Sequence, residues 1–79
     1  MKANVYVTLK QEVLDPQGDA VRRGLMSLGF AAVKSARVGK LIEIEFDGKD
    51  RATAEKELKQ MCEKLLANPV IEDFRLELV

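Results

Sequence analysis

Hydrophobic periodicity along this chain alternates between two residues and about 3.6, and the order of those switches constrains the fold more than any other feature. Residues 2–10 set Ala3, Val5, Val7 and Leu9 against Lys2, Asn4, Tyr6, Thr8 and Lys10, the pattern of a half-buried strand. Val21, Leu25 and Leu28 then recur at i, i+4 and i+7, one apolar stripe of a helix. That helix has a start signal: Asp15 can accept orphan backbone N–H bonds as the N-cap, and Pro16 suits the first helical position. Gly29 is a natural stop. Residues 31–38 read as a second strand, softened by Ala31, Ala32 and Ala36, and Gly39-Lys40 as a two-residue hairpin turn with glycine first. Ile42, Ile44 and Phe46 alternate with Glu43, Glu45 and Asp47 in a third strand. Asp47-Gly48-Lys49-Asp50 breaks it, and Asp50 can cap a second helix. There Ala54, Leu58, Met61, Cys62 and Leu65 share a face, and Glu55–Lys59 is a favourable i,i+4 pair. Asn68-Pro69 ends that helix, and Phe74, Leu76 and Leu78 alternate in a last strand.

The order βαββαβ predicts an α+β ferredoxin-like sandwich: one four-stranded antiparallel sheet with both helices on one face. Right-handed crossovers place the first and third strands centrally and leave the second and fourth as edges. Exposed edges invite pairing with another chain. The 79 residues read as a single domain over 1–79, without linker or repeat. A domain this small buries only a little over about 60% of its unfolded surface, so a homo-oligomer is expected.

The residue inventory removes several chemistries. There is no His, hence no Ser-His-Asp triad, no His general base and no His metal ligand. The one cysteine, Cys62, lies between Leu58 and Leu65 on the apolar stripe, where a free thiol packs as a small hydrophobe. Lys40 follows Gly39, but the phosphate-binding loop pattern needs a glycine further upstream and Ser or Thr after the lysine; Lys34 and Leu41 stand there. Glu43, Glu45 and Asp47 line one strand face and read as solvated carboxylates, not metal ligands. Tyr6 alone is too little aromatic surface for an RNA-reading sheet. No apolar run approaches the roughly 20 residues that cross a bilayer, and the N-terminal residues lack the apolar stretch of a signal peptide. A cytoplasmic module that binds neither nucleic acid nor membrane is expected.

The 13 basic and 13 acidic residues cancel but are segregated. Between Ala20 and Ile42 stand Arg22, Arg23, Lys34, Arg37 and Lys40 with no acidic residue, whereas acidic residues outnumber basic ones ten to six from Glu43 onward. Such a basic segment can meet an acidic partner.

Four motifs occur in order: Leu14-Asp15-Pro16-Gln17-Gly18; Leu28-Gly29-Phe30; Arg37-Val38-Gly39-Lys40; and the long run Cys62-Glu63-Lys64-Leu65-Leu66-Ala67-Asn68-Pro69-Val70-Ile71-Glu72-Asp73. Together they closely resemble the PurS family, the small subunits of phosphoribosylformylglycinamidine (FGAM) synthase, over essentially the whole chain. The resemblance implies a non-catalytic small subunit in purine biosynthesis. It would bridge a synthetase subunit and a glutaminase subunit and assist ammonia transfer as formylglycinamide ribonucleotide becomes formylglycinamidine ribonucleotide. It also implies a homodimer or homotetramer, with no cofactor on this chain and ATP and magnesium used by the synthetase subunit. No catalytic, cofactor-binding or metal-binding residue is expected here. The residues expected to face partners are Asp15 and Gln17 at the first helix entry, Arg22, Arg23 and Arg37 of the basic segment, Lys40 at the hairpin tip, and Asn68 at the second helix end. A metabolite-binding regulatory module of the same fold is the competing reading.

Overall fold

A computed structural model describes residues 1–48 and 50–79. The elements run β1 (Lys2–Leu9), α1 (Pro16–Ser27), β2 (Gly39–Glu45), α2 (Arg51–Met61), a π-helical turn (Cys62–Leu66) and β3 (Glu72–Leu78). The sheet has the order β2-β1-β3, antiparallel throughout. Register follows the alternation seen in the sequence. Val5 stands opposite Ile42 and Leu76, Ala3 opposite Ile44 and Leu78, and Val7 opposite Lys40 and Phe74. Every apolar strand residue of these pairs therefore shares one face. Leu58, Cys62 and Ala67 are buried as well, and Cys62 and Ala67 join Val5 and Val7 in the core cluster, with Ile42, Ile44, Leu66, Phe74 and Leu76 partly buried against it. Complete burial of a Val or Leu side chain is worth about 1.5–3 kcal/mol, and Val5 and Leu58 are completely buried. On the opposite, polar face the Arg75 guanidinium lies 4.2 Å from the centre of the Tyr6 ring.

Local signals are used as their chemistry requires. Asp15 caps α1 by accepting from Gly18 N–H at 2.9 Å, with Pro16 opening the helix. Gly29 sits at φ 98°; its N–H donates to Met26 O and that of Phe30 to Leu25 O, the paired bonds of a Schellman stop. Asp50 accepts from Thr53 N–H and Oγ1. The predicted break at residues 47–50 includes Lys49, which lies outside the described residues.

Six expectations are corrected. Among the described residues the sheet has three strands, not four: after a turn at 31–32, residues 33–38 carry neither strand nor helix. Gly39-Lys40 makes no hairpin; both residues belong to β2, with Gly39 opposite Thr8. The reason is tertiary. Val38 N–H donates to Asp15 Oδ2 at 2.8 Å, and Arg37 Nη2 donates to Lys10 O at 2.8 Å and Val13 O at 3.0 Å. These bonds draw 37–38 alongside the end of β1, so the chain enters β2 without reversing. Consequently β1 is the central strand and the strand from Gly39 to Glu45 is an edge.

The two helices do not share the sheet face. Only Gly18 of α1 is buried, contact between α1 and the strands is at most marginal, and Val21, Met26 and Leu28 are largely exposed. The radius of gyration is 16.0 Å and the long axis 50 Å, against about 12 Å for the gyration radius of a compact chain of this length. Thus α1 and 28–38 form an arm. Leu65 is 83% exposed, because Ala67 N–H donates to Cys62 O, five residues back; the wider π turn swings Leu65 outward while Leu66 and Ala67 face the core. Finally, Glu55 pairs with Arg51 at 3.3 Å instead of Lys59.

Candidate partner interface

Three of the seven predicted partner-facing residues gather where the arm meets the sheet. Asp15, Gln17 and Lys40 line one cleft of about 260 Å³ together with Val7, Leu9, Val38, Gly39 and Glu72. Asp15 is buried, at 6% exposure, and both its oxygens are occupied, Oδ1 by Gly18 N–H and Oδ2 by Val38 N–H. The Val38 and Gly18 donors, in that order, hold its carboxyl below the usual value of 3.8; burial opposes this, and the Arg37 charge adds a smaller pull in the same direction. Asp15 therefore fixes the arm instead of presenting a charge. Gly18 allows the fit: a Cβ there would overlap the Ala36 carbonyl oxygen and come within 2.7 Å of Asp15 Oδ2.

The basic segment is largely paired within the chain. Asp19 accepts from Arg22 Nη2 at 2.9 Å and stands 3.2 Å from Arg23 Nε; the Arg22 hydrogen bond is the chief cause of its lowered pKa. Arg37 is spent on backbone carbonyls. Arg22 and Arg37 line a second groove with Leu14, Asp19 and Lys34. Lys40 Nζ lies 4.0 Å from Glu72 Oε2. Glu72 also accepts from Asn68 N–H at 2.7 Å, while Asn68 Oδ1 accepts from Val70 N–H in a local turn. Glu72 thus links the start of β2 to the loop after α2. Sequence reasoning missed it, and only strand register, which sets Glu72 opposite Leu9, could have found it.

Several large apolar side chains are exposed. Leu28 and Phe30 of the arm are 76% and 58% exposed, Leu14 just before it is 80% exposed, and Leu65 and Val70 near the end of α2 are similarly open. Cys62 is fully buried, and burial, with a smaller push from the Glu63 charge, raises its thiol pKa above 9.0, the reverse of an activated nucleophile. Among the described residues no group of three or more His, Cys, Asp or Glu could hold a metal, and no helix is long and apolar enough to cross a membrane.

A small α+β domain whose distinctive surface is exposed apolar side chains on a projecting arm is a protein-binding module. The family model described as "PurS: Phosphoribosylformylglycinamidine (FGAM) synthase" matches residues 2–79, and the chain belongs to that family. It is 49% identical over 74 residues to the FGAM synthase subunit PurS of Synechocystis, covering 94% of this chain and 74% of that one. It superposes on B. subtilis PurS with a TM-score of 0.85 at 50% identity, covering 96% of this chain and 94% of the other. With a structure of PurLQS from Thermotoga maritima it shares a TM-score of 0.88 at 33% identity, over 96% and 93% of the two chains. These relatives are PurS subunits, which leaves the metabolite-binding regulatory reading without support.

Proposed function

We propose that this chain is the small, non-catalytic subunit of FGAM synthase. It holds the synthetase and glutaminase subunits together and assists ammonia transfer between them, while the ligase turns formylglycinamide ribonucleotide into formylglycinamidine ribonucleotide with ATP and glutamine. The observation that carries this reading is the likeness, over nearly the whole chain, to the T. maritima PurLQS structure. ATP and magnesium act on the synthetase subunit, the complex is cytoplasmic, and this chain works as a homodimer or homotetramer. Asp15, Gln17, Arg22, Arg23, Arg37, Lys40 and Asn68 act by shaping and bordering the contact surface. The buried thiol and the exposed apolar arm agree with assembly over chemistry.

The test is reconstitution of the glutamine-dependent reaction from synthetase and glutaminase chains with and without this protein, with an ammonia-fed control. Glutamine-driven turnover is expected to need the chain and ammonia-driven turnover not to. If neither changes, the assignment fails; if both are lost, the chain shapes the synthetase site instead.

A further inference from the structure

The sheet has an open edge on the side away from β2 and the arm, along β3. Two bonds fix its phase: Val79 N–H donates to Lys2 O, and Lys10 N–H donates to Ile71 O. In an antiparallel ladder such bonded pairs alternate with residues whose backbone groups point the other way. With Ala3 opposite Leu78, Asp73, Arg75 and Glu77 therefore bond to β1, and Phe74, Leu76 and Leu78 turn their N–H and C=O outward. Among the described residues no hydrogen bond reaches those outward groups, whereas the N–H of Glu72 just before them is held by Asn68 O at 2.8 Å. Proline or a bulge would blunt such an edge, but β3 contains no proline and pairs with β1 without a bulge.

Beside this edge α2 leaves a groove of about 520 Å³. Its floor is Leu58, completely buried, and its sheet wall is Leu76 and Leu78, both half-buried. On the helix wall Arg51 pairs with Glu55 at 3.3 Å, so the charge left over there is that of Lys59. The other face of β3 has the opposite sign. Arg75 is drawn back over the Tyr6 ring, and Glu77 Oε1 accepts only from the neutral donors of Asn4 and Tyr6. Asp73 and Glu77 are the charges left over on that side.

We propose that the outer edge of β3 takes up an extended segment of another protein as a fourth strand. The two faces dictate its pattern. Residues opposite Phe74, Leu76 and Leu78 lie toward α2 and are apolar, filling the groove over Leu58 where Lys59 disfavours a cation. Residues opposite Asp73 and Glu77 lie on the other face and are lysine or arginine, since opposite charges across a sheet attract and like charges repel. Main-chain bonds to the three outward residues supply affinity, and the alternation of side chains supplies specificity. A second copy of β3 fits this pattern poorly, because it brings two carboxylates and a guanidinium already engaged by Tyr6. Nothing in this pairing depends on the synthase assignment.

The isolated chain tests it. The probe is a short, fluorescently labelled peptide with valine at alternate positions and lysine between them, followed by anisotropy at low salt. Saturable binding is expected, weakened on the order of 10-fold when glutamate replaces the lysines. Leu76→Pro removes an outward N–H without costing a bond to β1, because proline is tolerated on the free side of an edge strand. Leu76→Ala removes the same side chain and keeps the N–H. With both shown folded by circular dichroism, the proline variant should bind the lysine peptide on the order of 10-fold more weakly than the alanine variant. Leu78→Pro and Leu78→Ala repeat the comparison nearer the strand end, should Leu76→Pro not fold. No binding of the lysine peptide, equal binding of the lysine and glutamate peptides, or equal binding by the proline and alanine variants would each overturn the docking. Sedimentation in which only the proline variants lose mass would give the edge to a second copy and overturn it too.

Discussion

Gly18→Ala puts two physical effects in opposition, and the structure decides between them. Replacing a helical glycine by alanine ordinarily stabilises by about 1 kcal/mol through backbone entropy. At Gly18, however, the new methyl would overlap the Ala36 carbonyl and crowd Asp15 Oδ2 at 2.7 Å. The carbonyl is backbone, held by the neighbouring Arg37 and Val38 hydrogen bonds, so it cannot step aside as a flexible side chain could. Overpacking typically costs about 1–3 kcal/mol, and so rigid an obstacle belongs at the upper end. The net expectation is a loss of about 2 kcal/mol once the propensity gain of about 1 is subtracted. Gly24, in the same helix with nothing within 4 Å of its Cβ position, is the control, and Gly24→Ala should gain about 1 kcal/mol. For a domain of this size 1 kcal/mol moves Tm by roughly 4–8 °C. Calorimetry at one fixed protein concentration should therefore separate the variants by well over 10 °C. Equal and upward shifts for both would mean that 36–38 do not lie against the start of α1, and the account of the arm would fall.

Leu58→Ala should cost about 2–5 kcal/mol in urea melts, since Leu58 is completely buried, while Leu65→Ala should stay within about 0.5 kcal/mol. A large loss at Leu65 would mean that the π turn is a regular helix with Leu65 inward. Cys62 should react negligibly with a thiol-specific disulfide reagent at pH 8 and fully in guanidinium, its thiol being buried with a raised pKa; fast labelling of the folded chain would contradict that burial. Because the folded-state pKa of Asp15 lies below its ordinary value of 3.8, its stabilising effect is complete above that value and disappears as pH falls through the lower, folded one. Relative to Asp15→Asn, the wild-type chain should lose Tm more steeply below pH 4, and parallel curves would remove the role given to that carboxylate.

Features governed by nearest neighbours were legible in the sequence. The Asp15-Pro16 entry, the Gly29 stop and the Asp50 cap each depend on a few consecutive residues, and strict alternation about Val5, Ile42 and Leu76 carries the register because one slipped residue would turn every apolar side chain to water. The failures share a different origin. Gly39-Lys40 suits a hairpin turn as well as a strand, and the choice is made by Asp15 and Arg37, which lie far from it in sequence and act through Val38, Lys10 and Val13. Leu65 fits a 3.6-residue stripe, but one hydrogen bond shifted to an i→i−5 spacing moves it out of the core. For α1 the periodicity gave an apolar stripe but could not say that the chain's own sheet leaves it uncovered, with Val21 and Leu28 exposed.

In the folded chain the basic segment is largely occupied by partners of its own. Its charges were grouped in the sequence as a patch for an acidic partner, yet Asp19 serves both Arg22 and Arg23, Glu72 stands beside Lys40, and Arg37 is bound to carbonyls. Exposed ion pairs of this kind contribute little to stability, and a charge already paired has to exchange partners before it can attract another chain. Burying one leucine as exposed as Leu28 is worth about 1.5–3 kcal/mol. Per residue, then, the exposed apolar side chains of the arm have more binding energy to offer than its paired charges. The charges contribute direction instead: Asp15 and Arg37 aim the arm through their bonds to Gly18, Val38, Lys10 and Val13.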